Sequence, residues 1–255
     1  MSAKLGILRR AVRWLVRLRP ARVDRGPGAG LRLYLGRASA AYDLGMSEMA
    51  VQAFLVENLH PGDVFYDVGA NVGFFSLLGA RLVGRGGQVL AFEPVPANAD
   101  AARRNAALNG LDNVFVRGAA LASTCGTADL ILTRHPGGAT LAHVGSPPDA
   151  SGALRVICKS IDALVEREDL APPTLVKVDV EGAELDVLAG MERTARRLHP
   201  AIVCEVDAAT VEEAESKAAG VEAVLRGWGY APYRLAESCT DGSWQVLHVV
   251  ARAQA

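Results

Sequence analysis

Two apolar runs, each meeting a carboxylate near its end and separated by a glycine turn, constrain this chain more than any other feature. Val64-Phe65-Tyr66-Asp67-Val68 leads into Gly69-Ala70-Asn71-Val72-Gly73, and twenty residues on Val89-Leu90-Ala91-Phe92 ends in Glu93-Pro94. The segment between them is helix-like. The order is therefore strand, tight turn, helix and a second strand with an acid at its tip. Such a unit holds an adenosine-containing small molecule beyond the carboxyl ends of its strands.

The turn decides which adenosine compound is expected. A dinucleotide fingerprint needs Gly-x-Gly-x-x-Gly, so that backbone amides and a helix N-terminus hold a pyrophosphate. Here Asn71 stands at the middle glycine position, and Asp67 lies two residues before the first glycine. A carboxylate there repels a pyrophosphate and attracts the ammonium of an amino acid. Asparagine also enters the left-handed backbone region more readily than other non-glycine residues, so Asn71 suits the turn. S-adenosyl-L-methionine carries an ammonium, a sulfonium and a ribose but no phosphate. Glu93 can accept hydrogen bonds from two ribose hydroxyls. The expected contacts are therefore Asp67, Gly69, Asn71 and Gly73 around the methionine part and Glu93 around the ribose. Asn98 is expected at the border of the adenosine pocket, where capping or a helix-surface role serves equally well.

The residues of these segments match a known pattern. Asp67 to Ser76 (Asp-Val-Gly-Ala-Asn-Val-Gly-Phe-Phe-Ser) resembles the first motif of the FkbM-type methyltransferases. Glu93-Pro94, Pro96, Asn98, Asn105 and Leu108-Asn109 resemble the second. Ser160-Ile161-Asp162, the string Lys177-x-Asp179-x-Glu181-Gly182-x-Glu184, Val187 to Gly190 and Pro200 to Glu205 resemble the rest. The likeness spans about residues 45 to 207 in the right order. It implies an α/β fold of the class I methyltransferase (Rossmann-like) type. That fold is a seven-stranded, mostly parallel sheet ending in an antiparallel C-terminal hairpin. It also implies S-adenosylmethionine as cofactor and methyl transfer, usually to a hydroxyl oxygen of a sugar, glycolipid or secondary metabolite. Gly118-Ala119-Ala120 departs from the acidic residue that many class I enzymes carry there for the adenine amino group. A backbone carbonyl near Ala120 is the expected substitute.

Half of the residues are hydrophobic and 22% are charged, yet no apolar run approaches the ~20 residues of a membrane span. The formal net charge of −1 argues against a nucleic-acid partner. Cys125, Cys158, Cys204 and Cys239 form no Cys-x-x-Cys pair, and Cys158 and Cys204 stand in strand-like runs. Reduced core thiols and a cytoplasmic location follow as expectations.

The N-terminus is the local exception. Lys4, Arg9, Arg10, Arg13, Arg17, Arg19, Arg22 and Arg25 are opposed by Asp24 alone, and Leu5, Leu8, Val12, Leu15 and Val16 recur at helical spacing. A basic amphipathic helix of this kind suits peripheral contact with an anionic membrane. It also suits a transit-like segment or packing on the domain or a partner subunit. Arg25-Gly-Pro-Gly-Ala-Gly30 then reads as a linker. The expected division is an extension and linker over residues 1–30 and a single methyltransferase domain over residues 31–255.

Within that domain, Ser47 is expected to cap a helix through Leu59, and helices are expected over Val72–Val83 and Pro96–Asn109. Asn113–Arg117 is the third strand. Ala128–Thr133 and Leu154–Lys159 then read as a β-hairpin inserted after it, joined by a long loop rich in Gly, Pro and Ser from Arg134 to Ala153. A loop of that length is usually a lid or binding loop. His135, Thr140 and His143 lie in it, and His135 or His143 is a candidate base. Beyond Asp207 come a helix over Val211–Arg226, strands Pro232–Leu235 and Trp244–Val250, and a turn at Asp241-Gly242.

A second acidic group follows the strand Thr174–Val178. In an open parallel sheet ligands sit beyond the strand ends, which brings Asp179 and Glu181 to the cleft. Lys177 lies on the same strand face as Asp179. Glu184, in the first helical turn, is suited to capping. Glu205, which ends the next strand from Ala201 to Val206, is a further cleft candidate. Methyl transfer to a hydroxyl needs alignment and removal of a proton. Asp179 or Glu181 is expected to contact the acceptor, with Lys177 fixing orientation. An all-oxygen Mg²⁺ site from Asp179, Glu181, Glu184 and Glu205 is the rival use of these acids. Lys177 offsets their charge, zinc lacks spaced Cys/His pairs, and no metal is expected. A small-molecule, glycan or glycolipid acceptor is the expected partner. An inactive methyltransferase-like binding module and an N-methyltransferase are the alternatives.

Overall fold

The computed structural model describes residues 20–35, 48–133, 139–143, 150–236, 239–241 and 244–252. Most of the basic N-terminal segment, Ser47, His135 and Gly242 lie outside the described residues.

A short antiparallel pair, β1 (Ala21–Arg22) and β2 (Arg32–Leu33), precedes α1 (Met49–Asn58). Strand and helix then alternate through β3 (Val64–Val68), α2 (Phe74–Val83), β4 (Gln88–Phe92), α3 (Pro96–Leu108) and β5 (Val114–Arg117). Four strands interrupt this: β6 (Ala120–Leu121), β7 (Gly126–Thr133), β8 (Ala139–Leu141) and β9 (Ala150–Lys159). The alternation resumes with α4 (Ile161–Arg167), β10 (Leu175–Val178), α5 (Glu184–Ala189), α6 (Glu192–Leu198), β11 (Ala201–Ala208) and α7 (Val211–Gly227). The chain closes with β12 (Tyr233–Arg234), β13 (Cys239–Asp241) and β14 (Trp244–Ala251).

The main sheet runs β5-β4-β3-β10-β11-β14-β12, and β13 pairs onto β14. The five strands from β5 to β11 are parallel, whereas β14 runs antiparallel to both of its neighbours. Continuous apolar runs such as Leu175-Val176 suit strands covered on both faces. One face packs Phe65, Val89, Leu175, Val203 and Val250 against Phe54, Leu55, Phe74, Leu77 and Leu78 of α1 and α2. The other packs Tyr66, Phe92, Val176, Ile202 and Val206 against Leu188, Met191, Val221 and Leu225. Side chains alternate along a strand, so Asp67 and Lys177 share the first face with Phe65 and Leu175. Glu205 and His248 share it with Val203 and Val250. At its carboxyl end this face therefore turns from apolar to ionic.

The insertion is larger than a hairpin. β7 and β9 pair antiparallel, β8 adds to β7 and β6 runs parallel to β9, making a separate four-stranded sheet. Ala139–Leu141 and Ala150–Ala153 thus belong to strands rather than to a structureless loop. Small residues there carry no apolar alternation, and cross-strand pairing with β7 orders them instead. Among the described residues no helix is long and apolar enough to cross a membrane.

Candidate active site

A cleft opens at the carboxyl ends of β3, β4, β10 and β11, roofed by the inserted sheet through Leu130, Ala139 and Leu141. Its floor at one end is the turn after β3. Gly69 has φ +83, and a side chain there would sit 1.7 Å from the Asp179 carbonyl oxygen. The Gly69 and Ala70 amides donate to the Phe92 carbonyl at 2.9 and 3.0 Å, tying the turn to β4. Asn71 takes φ +50, the left-handed conformation expected of it. Its amide donates to Glu93 Oε2 at 2.8 Å, while the Val95 amide donates to Oε1 at 2.8 Å. Each carboxylate oxygen retains lone-pair capacity toward the cleft that Glu93 lines. Burial pushes Glu93 up to about 7, against these amides and a hydrogen bond from Asn98.

Three expected cofactor residues stand back from the cleft lining. Asp67 is buried toward α2, where its Oδ2 accepts from Ser76 Oγ. Strand alternation sets it on the face that α2 covers. Gly73 (φ +90) begins α2 and lies against Ala102, where a side chain would be 3.1 Å from that Cβ. Asn98 supports Glu93 rather than lining the cleft. Ala120 does line it, beside Ala119 and Leu121.

The other end of the cleft holds Glu48, Asp179, Glu181 and Glu205. Lys177, 1% exposed, lies beneath them, its Nζ 2.7 Å from Asp179 Oδ2 and 4.7 Å from the centre of the Phe75 ring. Burial works against its charge, but Asp179, Glu48, Glu205 and Asp67 together hold it firmly protonated. Glu181 takes φ +49 and hydrogen-bonds Asp207. Its side chain reaches solvent, yet the surrounding protein, then Asp207 and Asp179, push its carboxyl up. The Thr140 hydroxyl donates to the Glu181 carbonyl, pinning the inserted sheet to this loop. Glu184 is buried and caps the loop by accepting from the Gly182 amide at 2.6 Å.

His143 does not reach the cleft lining. Its Nε2 pairs with Asp186 Oδ2 at 3.2 Å on the surface beside α5. Two residues went unnoticed in the sequence. Glu48 follows the expected cap Ser47, and His248 sits inside an ordinary apolar strand. No motif flags either one.

Among the described lining residues there is no lysine or arginine. A pyrophosphate would find no cation there. Small Ala119 and Ala120, apolar Phe92, Leu130 and Leu141, and the Glu93 carboxylate fit a nucleoside without phosphate. The donor set therefore suits S-adenosylmethionine and not a dinucleotide.

Comparison with known proteins agrees. The model of the methyltransferase FkbM domain matches residues 67–232. The chain is 33% identical over 156 residues to the hexuronic acid methyltransferase AglP of Haloferax volcanii, covering 61% of each protein. The match therefore spans about three fifths of that relative's length. It is 30% identical over 199 residues to the 31-O-demethyl-FK506 methyltransferase FkbM of Streptomyces tacrolimicus, covering 68% of this chain and 74% of that one. The crystal structure of methyltransferase FkbM from Methylobacillus flagellatus superposes with a TM-score of 0.50 at 18% identity, over 78% of this chain and 50% of that one. A putative rRNA-methylase from Clostridium thermocellum gives 0.53 at 12% identity, over 80% and 94%. At such identities the two structures speak for the fold alone.

Proposed function

This chain belongs to the FkbM methyltransferase family, and from that premise we propose that it methylates a hydroxyl oxygen of a sugar, glycolipid or other hydroxylated metabolite. The methyl donor is S-adenosylmethionine. One observation carries the reading: a single cleft joins a phosphate-free nucleoside site to a group of carboxylates across the ends of adjacent strands. Bound there, the cofactor supplies an electrophilic methyl carbon on a sulfonium.

The chain's own residues divide the remaining tasks. Glu93 receives the ribose hydroxyls, and the Gly69–Asn71 turn gives the methionine part a close backbone surface. Along the sheet, β4 and β5 precede β3, and β10 and β11 follow it. A ribose held by Glu93 at the end of β4 would leave the cleft at the ends of β10 and β11 for the acceptor. Asp179 and Glu181 hold the acceptor hydroxyl in line with the methyl carbon, and Lys177 fixes Asp179. Such positioning supplies up to ~7–11 kcal/mol of barrier reduction. Leu130 and Leu141 of the roof exclude water.

Isothermal titration with S-adenosylhomocysteine tests the cofactor site, with NAD as control. Micromolar binding that is lost in Glu93→Ala is expected. Binding of NAD in its place would overturn the assignment. Labelled-methyl transfer to a panel of neutral sugars and glycolipids then tests the acceptor class, and transfer to amines alone would reject oxygen as the acceptor atom.

A further inference from the structure

One buried histidine has no part in that scheme. His248 is 3% exposed, and its partner in the β11–β14 register is Glu205. His248 Nε2 lies 3.1 Å from Glu205 Oε2 and 3.6 Å from Glu48 Oε2. Both carboxylates line the cleft, and they hydrogen-bond each other as well. Three segments far apart in sequence thus converge on one point at the acceptor end.

The neighbouring carboxylates are committed elsewhere. Asp179 Oδ2 faces Lys177 Nζ, Glu184 Oε1 faces the Gly182 amide, and both oxygens of Glu93 accept backbone amides. Glu181 hydrogen-bonds Asp207, as Glu205 does Glu48, but Glu181 has no imidazole beside it among the described residues. Among the described lining residues two carboxylates face an imidazole, and Glu205, at 3.1 Å from His248 Nε2 against 3.6 Å for Glu48, is the nearer. A base needs such a partner, because orientation by a second group keeps its lone pair aimed at the incoming proton.

Resting on the methyltransferase reading above, we propose that Glu205 removes the acceptor hydroxyl proton, with His248 as the positioning residue that holds its carboxylate in the cleft. As the acceptor oxygen bonds to the methyl carbon, the methyl–sulfur bond breaks and its electron pair goes to sulfur. The hydroxyl proton passes to Glu205. The groups facing the pair are Glu48 before α1, Lys177 and Asp179 of β10 and its end, and Glu181 with Asp207 at the rim. Burial, then Asp179 and Glu48, push Glu205 up to about 8, against the hydrogen bond from His248. Burial disfavours the imidazolium, yet Glu205 and Glu48 raise His248 to about 9. A general base works best when its pKa lies near the operating pH. One Glu48, one Glu205 and one His248 ligand atom also lie within 4.8 Å of one another, a spacing that suits a divalent cation.

The test needs no acceptor. Sinefungin carries an amine where the donor carries its methyl sulfonium, so its affinity relative to S-adenosylhomocysteine probes the groups that face the transferred methyl. In the full chain, titration should show a preference for sinefungin. Glu205→Gln should cut that preference by about tenfold, the loss of one charge-assisted hydrogen bond, with S-adenosylhomocysteine affinity held within about twofold. Glu205→Asp, which keeps the charge, should retain part of the preference and covers the case of a poorly folded glutamine variant. His248→Gln should change how the preference varies between about pH 6 and 9, which a merely structural role would leave alone. A larger loss in Asp179→Asn or Glu181→Gln, or none in Glu205→Gln, overturns the proposal. So does micromolar binding of Mn²⁺ alone that disappears in His248→Gln, because the three side chains would then serve a cation. Failure of wild-type protein to bind S-adenosylhomocysteine is a separate result and rejects the cofactor site itself.

Discussion

The two ends of the cleft are built on different principles. The end we assign to the methyl donor comes from one short stretch, Gly69 to Val95, and rests on backbone: left-handed turns, amides on the Phe92 carbonyl, and a carboxylate clamped by two further amides. The acceptor end gathers Glu48, Asp179, Glu181, Glu205 and His248 from separate segments around a buried lysine. One end is fixed by shape and the other by a balance of charge. The first should therefore be sensitive to bulk and the second to protons and to the loss of a single charge.

The sharpest way to break this contrast is Gly69→Ala. The added carbon meets the Asp179 carbonyl and the residue keeps a positive φ, so a loss of about 4 kcal/mol or more is expected in urea unfolding. Tolerance of alanine would show that the turn can shift and that shape does not govern the donor end. Next comes Lys177→Met, which keeps volume but strands the Asp179 and Asp67 carboxylates. A cost of about 3–5 kcal/mol is expected at neutral pH, shrinking in acid as those groups take up protons. An equal loss at pH 5 and pH 8 would argue for packing rather than charge.

Stability against pH separates the ends further. Glu93 is raised from 4.5 to about 7, so its contribution is complete below 4.5 and fades as pH rises through 7. His248 is raised from 6.5 to about 9, so its contribution persists to higher pH and fades through 9. Glu184 is likewise raised to about 7 and Glu205 to about 8, so thermal unfolding of the free protein should move steadily to lower temperature as pH rises from about 4.5 to 9. Glu93→Gln should shrink the part of the loss that falls between about pH 4.5 and 7 and leave the part near 9, and an unaltered profile would contradict the assignment. The smallest effect belongs to Thr140→Val. It removes one hydrogen bond to the Glu181 carbonyl, so about 1 kcal/mol is expected, read as faster amide exchange in the inserted sheet.

How much of this could be read in advance follows the same division. The strand–turn–helix–strand unit, the positive φ of Asn71 and the cleft position of Asp179 and Glu181 all follow from neighbours in the chain or from the rule that ligands lie beyond strand ends. Asp67 was legible as a motif residue but not as a buried one, because its direction depends on which sheet face α2 covers. His143 read as a candidate base in a long Gly-, Pro- and Ser-rich loop, and only the fold of the insertion shows it beside Asp186. Ala150–Ala153 has no strand signature of its own and is ordered by pairing with β7.

The class I alternation, the left-handed glycine turn after β3 and the carboxylate at the end of β4 could all be read from the chain itself. Those features rest on backbone dihedrals and hydrogen bonds between residues near one another in the chain. Tertiary structure alone decided that Lys177 would be sealed beneath four carboxylates and that His248 would meet Glu205 and Glu48. The positions of charges so distant in the chain are set by strand register and by which strands are neighbours, and the energy of a buried charge depends on every partner that folding brings to it.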